Sequence, residues 1–186
     1  MPNDTVYISF SAEINQATTE GLLGICGQLV EKRVSTAYLM LSTPGGSVMN
    51  GLNLYNILRA MPFKVITHNV GNVDSIGNVI FLAGEERYSS PHATFMFHGV
   101  GFDINGQVRF EQKSLRERLD SINADQTRIS KILCERTALS TDEANQLFLE
   151  AVTKDPEYAR SKGIISDVRE IKVPEGATFL QLVFKR

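Results

Sequence analysis

Cysteine is scarce in this 186-residue chain: there are two, Cys26 and Cys134, and neither belongs to a CxxC pair. Each falls in an apolar, helix-patterned stretch where a small buried hydrophobe fits, which argues against a disulfide framework and against a metal site. A reducing compartment follows. No apolar run approaches the roughly 18 residues that a membrane span requires, and the start, Met1-Pro2-Asn3-Asp4, carries no basic region of the kind that opens a secretion signal. The expectation is a cytoplasmic protein with no membrane partner. Basic clusters are missing too. With 19 Lys and Arg against 21 Asp and Glu, the formal net charge is -2, and no cationic run is interleaved with aromatics. That excludes the electrostatic footprint of a nucleic-acid partner. Histidine numbers only three, so any reaction that needs an imidazole has a short list of candidates. Low-complexity segments are absent.

What is present is a 42% hydrophobic, 22% charged chain, long enough for one well-buried core and too short for two ordinary domains. A single domain over residues 1–186 is expected. In the first half, strand-like runs at 6–10, 36–41, 63–70, 86–89 and 94–97 alternate with helical patterns at 18–32, 48–60 and 76–83. Such alternation predicts an α/β fold with at least partly parallel strands. From Phe110 to Arg136 there is neither glycine nor proline. Leu115, Leu119, Ile122, Ile129, Ile132 and Leu133 fall there at helical spacing among charges, which predicts one long helix with a narrow apolar stripe that protrudes and packs on something else. Ser140 with Glu143 opens a further helix with a capping-box pattern. Pro156 starts a short helix that Gly163 ends, 164–168 reads as a strand, and 178–184 reads as a final strand or an interface arm.

Two turns share a layout. Ser42-Thr43-Pro44-Gly45-Gly46-Ser47-Val48 joins an apolar run to a helical one, and Gly71-Asn72-Val73-Asp74-Ser75-Ile76-Gly77 repeats the arrangement. A serine hydroxyl becomes a nucleophile only when a base takes its proton and donors await the oxyanion it creates. Ser75 lies between a strand and a helix, so the N–H of Ile76 points out of a helix start, where partial positive charge favours an anion. Gly45-Gly46 is a second bare backbone able to present an N–H to the same oxygen. The plainer alternatives are an N-cap for Ser75 and an ordinary turn for Pro44-Gly45-Gly46. Among the histidines, His68 sits inside a strand and reads as half-buried and structural. His92 follows Pro91 in a turn and reads as solvated. His98 ends the apolar strand Ala93-Thr94-Phe95-Met96-Phe97, at its mouth. Spacing alone does not decide for it.

Taken together, residues 41–48, the segment Gly71 to Gly77 with Ser75, Leu82-Ala83-Gly84 followed by Arg87-Tyr88, and Phe95-Met96-Phe97-His98 resemble, in order and spacing, the Clp protease proteolytic subunit family. The resemblance runs from about Val6 to Val168. It implies a crotonase-type spiral of ββα units, with the helix at about 110–136 as the handle through which rings of subunits stack. It further implies a homo-oligomeric ring, in a stacked double ring, acting on peptides or unfolded proteins without cofactor or metal. In that reading Ser75 is the nucleophile, His98 the general base, and the N–H groups of Gly46 and Ile76 form the oxyanion hole. Gly45 and Gly46 would line the substrate strand.

Three departures from the family pattern stand out. The third catalytic residue is an aspartate in the family, and counting back from Asp155-Pro156-Glu157-Tyr158-Ala159 and Gly163, or forward from Ser140, puts Ala151 at its place. This leaves a Ser75/His98 dyad, or Glu150 or Asp155 as a substitute carboxylate, Glu150 being favoured because a one-residue shift and a longer side chain would let it reach. Asp74 replaces the small apolar residue before the nucleophile, and is expected to cap the helix or to hold His98 protonated. The chain also begins almost at its first core strand, without the family's N-terminal segment that meets an unfoldase ring, which leaves an AAA+ ATPase partner open. The leading expectation is a serine endopeptidase. A non-catalytic ring subunit or scaffold is the alternative that Ala151 supports, and an acyl-CoA enzyme of the crotonase type ranks last.

Overall fold

The computed structural model describes residues 5–102, 104, 106 and 109–182. The strand β1 (Thr5–Ser11), helix α1 (Gln16–Glu31), strand β2 (Thr36–Thr43), helix α2 (Val48–Ala60) and strand β3 (Lys64–Asp74) follow in order. These are the elements that the alternating pattern predicts, with β3 running on to Asp74, past its expected end at Val70. Then come α3 (Gly77–Phe81), β4 (Glu86–Ser89), β5 (Thr94–Met96), the long α4 (Gln112–Arg136) and α5 (Thr141–Glu150). The chain closes with β6 (Thr153–Lys154), α6 (Pro156–Ser161), β7 (Asp167–Val168) and β8 (Thr178–Gln181). The predicted strand at 164–168 shrinks to β7, and Val183 and Phe184 of the predicted last strand lie outside the described residues.

One sheet runs in the order β6-β5-β3-β2-β1-β8, with β4 on β3 and β7 on β4. Every pairing is parallel except β5 with β6. β2 is buried along almost its whole length, as strands covered on both faces are. The length of β3 lets it fork. Ile66 to Asn69 pair with Glu86 to Ser89 of β4, while Asn72 to Asp74 pair with Thr94 to Met96 of β5. At that fork β2 and β3 slip in register between Leu41 and Thr43, and Asn72 bridges the gap, its amide taking a bond from Ser42 Oγ (3.0 Å) and giving one to the Thr43 carbonyl (3.2 Å). The C-terminal ends of β2, β3 and β5 thus open side by side at one edge, the place where parallel sheets put their ligands.

Strand alternation sends Ile8 and Phe10 of β1 into the main core, with Leu41, Leu54, Phe81 and Phe95, and sends Tyr7 to the opposite face with Tyr38 and Met40. The helix α4 is about 37 Å long at 1.5 Å per residue, and only Ile129, Ser130 and Leu133 near its C-terminal end are buried. Leu115 and Leu119, further out, are 48% and 56% exposed. The expected protrusion is therefore present. Two arginines fasten its root. Arg87 reaches the carbonyls of Gly84, Arg136, Gly163 and Ile164 at 2.7 to 3.2 Å, and Arg136 reaches those of Leu82 and Gly84. Burial, and then the charge of Arg136, lower the Arg87 pKa to about 10.

Candidate active site

At the end of β3 the backbone turns sharply, and Ser75 takes a left-handed conformation, φ 56°. A non-glycine residue there costs about 1–2 kcal/mol, and the surroundings hold it: Ser75 N–H donates to the Met96 carbonyl (2.9 Å), and its own carbonyl accepts from the backbone and side-chain amides of Asn78 (both 3.1 Å). Ser75 does not serve as an ordinary N-cap. The cap of α3 is Ile76, without any side-chain bond, and Ser75 Oγ is left free of protein hydrogen bonds among the described residues.

The glycine turn lies directly against this serine. A Cβ placed on Gly45 (φ 91°) would come within 2.6 Å of Ser75 Cβ. Gly46 (φ 141°) is pinned by Ile14: Ile14 N–H donates to the Gly45 carbonyl (2.7 Å), Ser47 N–H donates to the Ile14 carbonyl (2.8 Å), and a Cβ on Gly46 would sit 2.3 Å from that oxygen. Ile14 is a functional neighbour that sequence reasoning missed, since an isolated apolar residue before a helix gives no signal. Among the described residues, neither the Gly46 nor the Ile76 N–H has an acceptor.

His98 follows β5 by two residues, at the same sheet edge. Its Nδ1 lies 2.8 Å from the Gly99 carbonyl. A carbonyl only accepts, so Nδ1 carries the proton, and in the neutral ring Nε2 keeps the lone pair. Ser75 and His98 line one cavity of about 330 Å³, floored by Ile76, Phe97, Ile129, Leu133 and Phe148 and flanked by Pro44 and Gly46. No hydrogen bond joins the two side chains, a looseness common before substrate or partner tightens a site.

The sequence profile of the family described as Clp protease matches residues 3–172. The chain belongs to the Clp protease family. It is 31% identical over 145 residues to ATP-dependent Clp protease proteolytic subunit 2 of Pseudomonas aeruginosa, covering 74% of this chain and 69% of that one. To ATP-dependent Clp protease proteolytic subunit 1 of Leifsonia xyli subsp. xyli it is 26% identical over 110 residues, or 58% of this chain and 54% of the other. The solved structure of a ClpP1 point mutant from Listeria monocytogenes shares the fold, with a TM-score of 0.79 at 22% identity, over 91% of this chain and 93% of that one. The α/β fold expected of a Clp protease subunit is thus the one observed.

β6, unforeseen because two residues carry no periodicity, follows closely on Ala151. It pairs antiparallel to β5, Phe95 opposite Lys154 and Met96 opposite Thr153. Beyond that short ladder, Gly99 N–H donates to the Phe148 carbonyl (3.1 Å), which ties the segment after His98 to the last turn of α5. Ala151 ends α5 in a left-handed conformation, φ 51° and ψ 41°. Glu150 is exposed, its carboxylate taking bonds from Gln146 (3.1 Å) and Lys154 (3.3 Å), and Gln146 and Lys154 hold its pKa below the usual value. Asp155 caps α6 through Tyr158 N–H (2.7 Å). The structure brings neither carboxylate to His98 by a hydrogen bond. The expectation for Asp74 is corrected: its Oδ2 accepts from Asn72 Nδ2 (2.6 Å), so it braces the β2–β3 fork and neither caps α3 nor pairs with His98.

The other histidines take no part in the cavity. His92 is exposed in its turn. His68 is wholly rather than half buried, its ring nitrogens 2.7 Å from Tyr38 Oη and 3.2 Å from Ser90 Oγ. Burial, and then the charge of Arg169, lower its pKa from 6.5 to about 4. The unfolded chain takes up this proton first, so the neutral ring contributes stability that is complete above pH 6.5 and is lost as pH falls from there to about 4. Over that window the loss attributable to His68 should reach about 3 kcal/mol. Denaturant midpoints for wild type and His68→Gln, measured from neutral pH down to about pH 4, should converge towards the acid end, and parallel curves would refute the assignment.

Proposed function

We propose that this chain is a serine endopeptidase that cleaves peptides and unfolded proteins. The observation that carries the reading is that Ser75, His98, Gly46 and Ile76 line one cavity, with the N–H groups of Gly46 and Ile76 lacking acceptors among the described residues. Ser75 Oγ attacks the scissile carbonyl while His98 Nε2 takes its proton, and the carbonyl oxygen, now an anion, is received by the two N–H groups. His98 then returns the proton to the leaving amine, and water reverses the sequence to free the acyl-enzyme. The apolar floor accepts an apolar side chain of the substrate. The peptide main chain lies as an added strand along Gly45 and Gly46, a sequence-tolerant mode.

Membership of the Clp protease family supports a single domain that works in a homo-oligomeric ring in the cytoplasm. In this reading the exposed outer part of α4 is the handle on which two rings stack. An AAA+ ATPase partner for folded substrates is left open, and short peptides do not require one. No helix among the described residues is long and apolar enough to cross a membrane.

Ala151 favours a second reading, a non-catalytic ring subunit that retains Ser75 and His98 while serving an active paralogue. Treating the assembled protein with a fluorophosphonate and locating the adduct by peptide mass spectrometry separates the two. A stoichiometric adduct on Ser75, absent from Ser75→Ala, is the expected result. An intact oligomer that takes up none would establish the non-catalytic subunit.

A further inference from the structure

The cavity of Ser75 and His98 continues outwards into a second cleft of about 510 Å³, and the two share Gly46, Val48, Val100, Gly101 and Phe102 as a common wall. The inner part is apolar. The outer part is lined by the charged residues Glu13, Arg118 and Asp125, and Arg118 is carried by α4 one turn before Ile122. The Arg118 guanidinium lies 4.7 Å from the ring centre of Phe102 and 5.5 Å from that of Phe110. Among the described residues no carboxylate pairs with it. The two acids of the same cleft are differently placed: Asp125 is paired with Arg128 one turn further along α4, and Glu13 stands exposed across the cleft, beyond the glycine turn.

We propose that Arg118 is a specificity-determining residue, binding a carboxylate of the peptide whose scissile bond lies at Ser75. Stacking on aromatic faces holds a guanidinium flat and leaves its N–H edge free, and a planar fork of donors matches a carboxylate's two oxygens. A long side chain fixed in this way loses little further freedom when it takes an anion. The carboxylate is supplied by an acidic side chain a few residues from the cleaved bond, or by the end of the peptide itself. This inference rests on the peptidase reading above.

The test uses the assembled protein and three peptides of one sequence cleaved at one bond: with Glu at the position reaching Arg118 and an amidated end, with Gln there and an amidated end, and with Gln and a free carboxyl end. In direct competition, kcat/KM for a carboxylate-bearing peptide should exceed that of the neutral one by about tenfold, and which of the two gains identifies the source. Arg118→Gln should reduce the ratio below twofold, Arg118→Lys should keep part of it, and Arg118→Glu should reverse it. Equal rates in wild type, or a preference that survives Arg118→Gln, would overturn the proposal. Should Ser75 take no fluorophosphonate, the peptidase reading fails while this test remains open. Fluorescein-labelled forms of the same peptides, bound to the Ser75→Ala assembly and to Ser75→Ala/Arg118→Gln, report the same ratio as dissociation constants by anisotropy. Equal affinities for all three peptides would refute the role of Arg118 independently.

Discussion

Ala151→Asp should raise kcat/KM for peptide cleavage by about a hundredfold to a thousandfold, almost entirely in kcat. The reason lies in what His98 has and what it lacks. The Gly99 carbonyl fixes its tautomer, which the reaction needs, but a neutral carbonyl does little for the imidazolium that forms when the Ser75 proton arrives. A carboxylate at about 4 Å contributes about 4 kcal/mol at an effective dielectric of 20, roughly a thousandfold in rate. Exposure of His98 reduces that gain, so a hundredfold is the lower bound. The backbone already suits the change, because aspartate tolerates the left-handed conformation that Ala151 adopts better than alanine does. Ala151→Asn repeats the shape without the charge, and should gain less than tenfold. A variant with Asp that assembles but turns over peptide no faster than wild type would mean that position 151 does not serve His98.

The two turns were legible as turns because apolar runs, small residues and helical patterns meet in them, whereas His98 stood out only through the family resemblance. Pro44-Gly45-Gly46 and Ser75-Ile76-Gly77 each end an apolar run and open a helical one, and the backbone angles at Gly45 and Gly46 explain why glycines stand there, while Ser75 holds its left-handed conformation at a cost. α4 was legible for the opposite reason, a long stretch with no breaker at all. Three things escaped. The fork in β3 depends on a register slip that no local pattern encodes. β6 is too short for a period to register. Ile14 acts only through its backbone, which the side chain does not reveal. The misreading of Asp74 has a similar origin: a carboxylate before a helix is ordinarily a cap, and only the fork brings Asn72 close enough to claim it. Local sequence thus specified which groups are available at the edge of the sheet, and long-range pairing decided which of them meet.

Gly46→Ala should lower kcat by a hundredfold to a thousandfold while leaving a folded, assembled protein. An added methyl would lie 2.3 Å from the Ile14 carbonyl oxygen, a backbone atom that cannot swing aside, and φ 141° is a conformation that side chains rarely adopt. The turn must therefore shift, releasing Ile14 N–H from Gly45 and Ser47 N–H from Ile14. Two hydrogen bonds of about 1 kcal/mol each are a loss that a core of this size survives. The Gly46 N–H, however, moves with the turn, and removing one oxyanion donor costs about 10² to 10³ in rate. KM should change less, because the donor acts on charge that develops only in the transition state. Gly24→Ala is the matching control: that glycine lies inside α1 with nothing within 4 Å of an added Cβ, so the variant should keep full activity and gain about 0.5–1 kcal/mol of stability. Activity within tenfold of wild type in an assembled Gly46→Ala protein would remove the Gly46 N–H from the oxyanion hole and leave that of Ile76 as its donor.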